Sequence, residues 1–255
     1  MRIGSTDIKR IGLGTNRLTD TKENRSFVAE ALTAGVNFID TAHLYTGGES
    51  EAAIGAALAP FPEDVVIATK GGFKDGRPEA LTAEIDESLR RLRTDTIELY
   101  YLHRVDPEVS VERSVEAINE SRERGKLRHI GLSEVGIDEI ERARQVAPIV
   151  AVQNHYSLSE RKYDEVVDYC EREQIAFVPF YPLGGRSGLG GEAVKEVATA
   201  RGASASQIAL AWLLKRSPAM APIPGTLSID HLRENLGALE IELTDEEFDR
   251  VANVE

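Results

Sequence analysis

The stretch Val65-Val66-Ile67-Ala68-Thr69-Lys70 is a short run rich in β-branched residues. It is followed by Ile85, Leu89 and Leu92 at helical spacing, and then by a second run, Ile97-Glu98-Leu99-Tyr100-Tyr101-Leu102. A strand, an amphipathic helix and a strand in that order make a crossover unit, whose two strands are parallel. The unit repeats in both directions. Ile11 to Leu13 and Val36 to Ile39 precede it, while Arg128 to Leu132, Ile149 to Val152, Ile175 to Phe180 and Ala221 to Ile223 follow. Helical spacing recurs between them, as at Val111, Val115 and Ile118. Ser204 with Gln207, and Thr244 with Glu247, have the spacing of capping boxes, and Gly35 and Gly125 stand where helices should stop. Eight candidate strands in strict alternation with helices predict an α/β fold, a closed (β/α)8 TIM barrel, in preference to an open doubly wound sheet. No linker or change of composition divides residues 1–255, so one domain is expected.

Composition narrows the function. Of 255 residues, 30 are Lys or Arg and 43 are Asp or Glu, a net charge of −13 that opposes nucleic acid or an anionic membrane as partner. Hydrophobic residues at 42% place the chain among globular proteins. The one cysteine, Cys170, cannot form an internal disulfide, and its helical spacing with Tyr163 and Val166 reads as inert core. No apolar run approaches the ~20 residues of a membrane span, and the start Met1-Arg2-Ile3-Gly4 lacks the apolar region of a leader. A cytoplasmic protein is expected.

Barrel chemistry sits at the carboxyl ends of the strands. The second run ends in Asp40, the third in Lys70 and the fourth in His103, and Tyr45 follows the second. Each alone has an ordinary explanation: a turn cap, a snorkelling lysine, a semi-buried histidine, a packed tyrosine. Together at consecutive strand ends they suit proton transfer to a carbonyl oxygen. Bringing a phenol from its usual pKa of about 10 to neutrality needs ~4 kcal/mol, which an ammonium ~4 Å away supplies at an effective dielectric of ~20. Asp40 would keep that lysine charged, and a neutral His103 would orient the substrate. There is no Cys/His cluster with zinc spacing and no nucleophile elbow, so no metal is expected. The glycine cluster Gly184-Gly185-Arg186-Ser187-Gly188-Leu189-Gly190-Gly191 follows the seventh run, where a barrel often binds phosphate, although such a cluster is as readily a plain flexible loop.

Longer strings carry a resemblance. Gly35-Val36-Asn37-Phe38-Ile39-Asp40-Thr41-Ala42-His43-Leu44-Tyr45 with Gly48-Glu49-Ser50-Glu51 and Gly55 is similar to the first signature of the aldo-keto reductases. Ile97 to Arg104, Ile130-Gly131-Leu132-Ser133, Val152 to Ser157, Pro179 to Gly184 and Ile223 to Thr226 with Glu234-Asn235 resemble further motifs of that family, in order along nearly the whole chain. The resemblance implies hydride transfer from NADPH to an aldehyde or ketone without metal, with Asp40, Tyr45, Lys70 and His103 as catalytic tetrad and Tyr45 as general acid. It further implies Ser133, Glu134 and Gln153, with Asn154 beside Gln153, at the nicotinamide carboxamide and Phe180 stacked on the nicotinamide. Leu183 and Gly184 fall on the pyrophosphate loop, and Thr226, Ser228, Glu234 and Asn235 near the adenosine half. Gln153 to Glu160 and Ile175 to Gly185 resemble a bacterial branch that includes pyridoxal reductases.

The match departs in three places. Few cations surround the segment from Gly225 to Arg233, which leaves NAD possible beside NADP. The loop from Thr15 to Glu23 and the tail after Thr244 are short, which implies an open site with weak discrimination against bulky aldehydes. Glu134 stands where the family usually has asparagine. Two rivals to a monomeric reductase of small carbonyl compounds remain: a cofactor-binding redox sensor or regulatory subunit on the same barrel, and a barrel isomerase or lyase with a phosphorylated substrate. An ionised Glu134 beside the nicotinamide would favour its positively charged oxidised form. Glu134→Asn is therefore expected to tighten NADPH relative to NADP⁺ in fluorescence titrations, and an equal change for both forms would contradict the electrostatic reading.

Overall fold

The computed structural model describes residues 1–185, 189 and 191–252. A two-stranded hairpin, β1 (Arg2–Ile3) with β2 (Thr6–Asp7), precedes seven strands that pair in parallel in chain order. These are β3 (Leu13–Gly14), β4 (Phe38–Asp40), β5 (Val66–Gly71), β6 (Ile97–Leu102), β7 (Leu127–Ser133), β8 (Ile149–Gln153) and β9 (Ala176–Phe177). Ten α-helices lie among the described residues: α1 (Lys22–Thr33), α2 (Glu49–Leu58), α3 (Pro78–Leu92), α4 (Val111–Glu123), α5 (Ile137–Arg144), α6 (Asp164–Arg172), α7 (Glu192–Arg201), α8 (Ala205–Arg216), α9 (Ile229–Gly237) and α10 (Asp245–Ala252). The helical spacings read from the sequence hold: Ile85 and Leu92 of α3, and Val111, Val115 and Ile118 of α4, are buried. Both capping pairs form, at Ser204 with Gln207 and at Thr244 with Glu247.

The period of two along a strand sorts side chains into two layers. Phe38, Val66, Ala68, Leu99, Tyr101 and Ala151 form an inner cluster on the concave side of the sheet. Their alternates Ile39, Ile67, Tyr100, Leu102, Ile130 and Val152 join the core shared with the helices. Ile3 and Ile8 of the hairpin region add to the inner cluster. They do so at the amino ends of the strands, because Asn37, just before β4, accepts from the Lys9 amide at 2.9 Å and donates to the Asp7 carbonyl at 2.9 Å. The carboxyl ends are left for the site.

The closed eight-stranded barrel expected from the sequence is not what forms. The sheet is curled and seven-stranded, and Ala221 to Ile223, expected as the eighth strand, is not a strand. The reason lies in two prolines. On one side Ala221 and Ile223 donate to the carbonyls of Phe177 (2.9 Å) and Pro179 (3.3 Å). On the other, the carbonyls of Pro222 and Pro224 accept from Gly12 (3.0 Å) and Gly14 (3.3 Å), but proline has no N–H to return. With no proline N–H to continue the ladder only isolated bridges remain, Gly14 to Gly225 and, where Phe177 also donates to the Ala219 carbonyl at 2.8 Å, Phe177 to Met220. The hairpin β1–β2 has no counterpart among the expected strands, since each of its strands spans two residues.

Close approach inside the sheet fixes one residue type. A Cβ on Gly131 of β7 would lie 2.4 Å from the Tyr101 ring and 2.9 Å from the Ala151 carbonyl oxygen. The backbone oxygen cannot yield without moving β8. Gly131→Ala is expected to lower unfolding stability by about 1–3 kcal/mol in urea denaturation.

Candidate active site

The alternation that places Phe38, Ala68 and Tyr101 inside the sheet continues by two residues to Asp40, Lys70 and His103. In the same way Gly131 leads to Ser133, and Ala151 to Gln153. Register aligns these ends, with Asp40 beside Ala68, Lys70 beside Tyr101 and Ser133 beside Gln153. Tyr45 enters from a 3-10 turn, Tyr45–Gly48, where Thr46, Gly47 and Gly48 have positive φ and the Thr46 hydroxyl donates to the Leu18 carbonyl at 2.7 Å.

Lys70 is the hub. Its ammonium, fully buried, donates to Asp40 Oδ1 at 2.5 Å, the Thr41 carbonyl at 2.7 Å and the Tyr45 hydroxyl at 3.3 Å. Gln153 Nε2 donates to the other Asp40 oxygen at 2.8 Å. Burial disfavours charge on Lys70, but Asp40 and Tyr45, through charge and hydrogen bonds together, outweigh it and raise the lysine above its ordinary value. Burial also raises the Asp40 carboxyl, against Lys70 and Gln153. For Tyr45 the expected lowering does not occur: burial raises the phenol, Lys70 opposes, and Asp40 cancels part of what Lys70 supplies. The phenol is held protonated. His103 is lowered to about 2 by burial, with Lys70 and Arg104 adding to the effect, so its imidazole is neutral at ordinary pH. Its ring meets Tyr45 edge-on at 6.0 Å and Phe73 at 4.9 Å.

These groups open onto a cavity of about 480 Å³, a volume typical of small-molecule sites. Asp40, Tyr45, His103, Ser133, Gln153, Phe180 and Leu183 line it, with Lys70 buried beside Asp40 and Tyr45. Other expected residues are placed differently. Glu134 does not line the cavity; at φ 58° its carboxylate accepts from the His155 amide at 2.6 Å, so it does not stand beside the nicotinamide position as the sequence suggested, and the electrostatic effect expected of Glu134→Asn loses its direct basis. Asn154 spends both ends of its amide on the Val135 backbone, at 2.8 and 3.1 Å. Gly184 lies between lining residues Leu183 and Gly185, but Arg186, Ser187, Gly188 and Gly190 of the glycine cluster are outside the described residues. Thr226, Ser228, Glu234 and Asn235 do not line the cavity either. The Thr226 hydroxyl accepts from the Ser228 amide at 3.0 Å, and Ser228 caps α9 by accepting from His231 at 3.4 Å. His155 stacks behind Phe180 at 5.3 Å, while His43 lies against Arg91.

The sequence reading missed Arg104, Phe73, Asn16, Arg17, Tyr181 and Gly225, which also line the cavity. Arg104 was within sight, as the residue after His103 at a strand end. Burial pushes the Cys170 thiol up to about 12, which agrees with an inert core cysteine. Among the described residues no group of three or more His, Cys, Asp or Glu is placed to hold a metal, and no helix is long and apolar enough to cross a membrane.

Comparison with known proteins assigns this parallel α/β sheet, with its Lys-Asp-Tyr cluster at the carboxyl end, to a class of oxidoreductases. The model of the Aldo/keto reductase family matches residues 10–255. The chain is 39% identical to an uncharacterized oxidoreductase of Schizosaccharomyces pombe, over 97% of this chain and 87% of that protein. It is 35% identical to the pyridoxine 4-dehydrogenase of Escherichia coli, over 96% and 94% respectively. A thermostable aldo-keto reductase solved with the inhibitor epalrestat superposes with a TM-score of 0.92 at 31% identity, covering 99% of this chain and 98% of that one. An aldo-keto reductase of Klebsiella pneumoniae solved with NADPH gives 0.86 at 29% identity, covering 96% and 90%. The chain belongs to the aldo-keto reductase family.

The His103 shift has a consequence for stability. An unfolded chain protonates this histidine near pH 6.5, whereas the native state resists protonation down to about 2, so the native state loses ground as pH falls through that window. The slope from this one group is up to about 1.4 kcal/mol per pH unit. His103→Gln is expected to unfold less steeply with acid than the parent in urea titrations between pH 6.5 and 4.

Proposed function

We propose that the chain is an NADP(H)-dependent oxidoreductase that reduces aldehydes or ketones to alcohols, acting as a single domain and a monomer, with Asp40, Tyr45, Lys70 and His103 as its catalytic residues. The observation that carries this reading is the buried Lys70 between Asp40 and the Tyr45 hydroxyl. Nothing in a structural role requires an ammonium there, since burying an ion pair costs more than packing apolar side chains.

The cavity fits a nicotinamide. Phe180 offers a ring, Ser133 a hydroxyl, and Gln153 keeps its carbonyl oxygen free of protein donors among the described residues while its nitrogen serves Asp40. Ser133, Gln153 and Phe180 would hold the nicotinamide, and Leu183 and Gly184 the pyrophosphate. Glu134 and Asn154 would act on it only through the loops they brace. When bound, the cofactor supplies the hydride. NADP(H) is favoured because a K. pneumoniae relative was solved with NADPH. Thr226, Ser228, Glu234 and Asn235 are proposed for the adenosine half by family likeness alone.

The chain's own residues then move one proton. The protonated phenol of Tyr45 donates to the carbonyl oxygen, and the Lys70 ammonium stabilises the phenolate left behind. Asp40 keeps Lys70 charged, so the lysine enters each cycle as an ammonium. Neutral His103, across from Tyr45, orients the carbonyl by a hydrogen bond. The likeness to a pyridoxine 4-dehydrogenase adds pyridoxal to the compounds worth assaying.

The test follows NADPH absorbance, and separately NADH, with benzaldehyde and pyridoxal. Tyr45→Phe is expected to lower kcat by about 100-fold or more while NADPH still binds by fluorescence titration. Turnover that survives in Tyr45→Phe would overturn the role of Tyr45. Cofactor binding without turnover of any aldehyde or ketone would favour a regulatory protein instead.

A further inference from the structure

Two arginines line the cavity, Arg104 and Arg17, and neither forms an ion pair among the described residues. In a chain of net charge −13 many other arginines find carboxylates, as Arg91 does with Glu51, Arg142 with Glu112 and Arg216 with Asp168, while Arg10 is spent on the carbonyls of Leu214, Ser217 and Met220. The Asp40 carboxylate, the one acidic side chain on the cavity wall among the described residues, is already shared between Lys70 and Gln153.

Arg17 is exposed, but Arg104 is half-buried and held in place. Its Nη1 donates to the His103 carbonyl at 2.7 Å and to the Ser133 hydroxyl at 3.1 Å. Its guanidinium packs 5.5 Å from the centre of the Phe73 ring and 5.9 Å from that of Phe180. One nitrogen is thus spent on positioning, and Nη2 and Nε donate to no protein atom among the described residues. A fixed, planar fork with donors to spare beside aromatic rings is a receptor for a carboxylate, which it meets with two parallel hydrogen bonds. Fixing the fork in advance removes the ordering cost that a free surface arginine would bear.

The geometry points to Arg104 as a specificity-determining residue that selects carbonyl substrates bearing a carboxylate apart from the reacting carbonyl. This rests on the reductase reading above. Tyr45 and His103 address the carbonyl oxygen, Arg104 the charged end, and Phe73 the body between them. Arg17 adds positive potential at the rim. The other anion that enters such a cavity is a cofactor phosphate, and the experiment separates the two.

Selectivity is read as the ratio of kcat/KM for 3- or 4-carboxybenzaldehyde to that for benzaldehyde, so that any loss of folding or cofactor binding cancels. Arg104→Met is expected to lower this ratio by roughly tenfold or more for at least one isomer, and Arg104→Lys by less, since one charge-assisted pair is lost or weakened. Raising the salt concentration should lower the ratio more for the parent than for Arg104→Met, which keeps only the rim charge of Arg17. A ratio within twofold of the parent for both isomers overturns the proposal, and so does a loss confined to NADPH affinity. If the parent turns over no aldehyde, the reductase reading fails, and calorimetry decides the question of Arg104 by itself. Binding of 3- and 4-(hydroxymethyl)benzoate over benzyl alcohol, lost in Arg104→Met, supports the anion site; no preference in the parent overturns it.

Discussion

An ammonium with no exposure to water, pressed against an equally buried carboxylate, is the constraint around which this end of the molecule is organised. Two charges removed from water are tolerated only when their remaining hydrogen-bonding capacity is filled. Lys70 fills its own with the Thr41 carbonyl and the Tyr45 hydroxyl, and Asp40 takes an amide from Gln153. Four separate strand ends and loops are therefore bound into one arrangement. A second layer repeats the device: Thr69, next to Lys70, donates to buried Glu51 at 2.6 Å, and Arg91 reaches both Glu51 and the His43 carbonyl. The site is rigid because its parts are each other's solvation.

Asp40 also changes what the lysine does to the tyrosine. A lone ammonium beside a phenol makes it a stronger acid; here the carboxylate cancels part of that field and burial raises the phenol instead. The phenol therefore stays protonated in the resting protein, and in the chemistry proposed above Lys70 acts when negative charge forms on the tyrosine.

Much of this was legible in the sequence because strand geometry is periodic. Residues that end apolar runs must share a face and an end of the sheet, so Asp40, Lys70 and His103 announce themselves, and Ser133 and Gln153 follow by the same rule. What was not legible depends on backbone detail. Pro222 and Pro224 break the eighth strand without altering the apolar pattern of Ala221 to Ile223. Glu134 and Asn154 lie next to site residues, yet local hydrogen bonds to His155 and Val135 capture their side chains, and adjacency in sequence cannot show that. The hydroxyl of Ser228 is taken by a helix start in the same way. Arg104 was passed over because its task comes from packing across Phe73 and Phe180, which sit in two other segments.

The junction between the segment at 219–225 and β3 has a further implication. On that side all the donors come from Gly12 and Gly14 and the acceptors are proline carbonyls. A Cβ on Gly14 would lie 2.7 Å from the Ile223 carbonyl, and one on Gly12 would lie 3.1 Å from the Ile223 side chain. The two edges meet through the residue with the least side chain and the residue with no amide proton. Such a contact has a polarity: the hydrogen bonds from Gly12 and Gly14 point the same way, and Pro222 and Pro224 cannot reverse them. It consequently sets the direction and register in which β3 meets the 219–225 segment, although it lacks the full ladder of a strand pair.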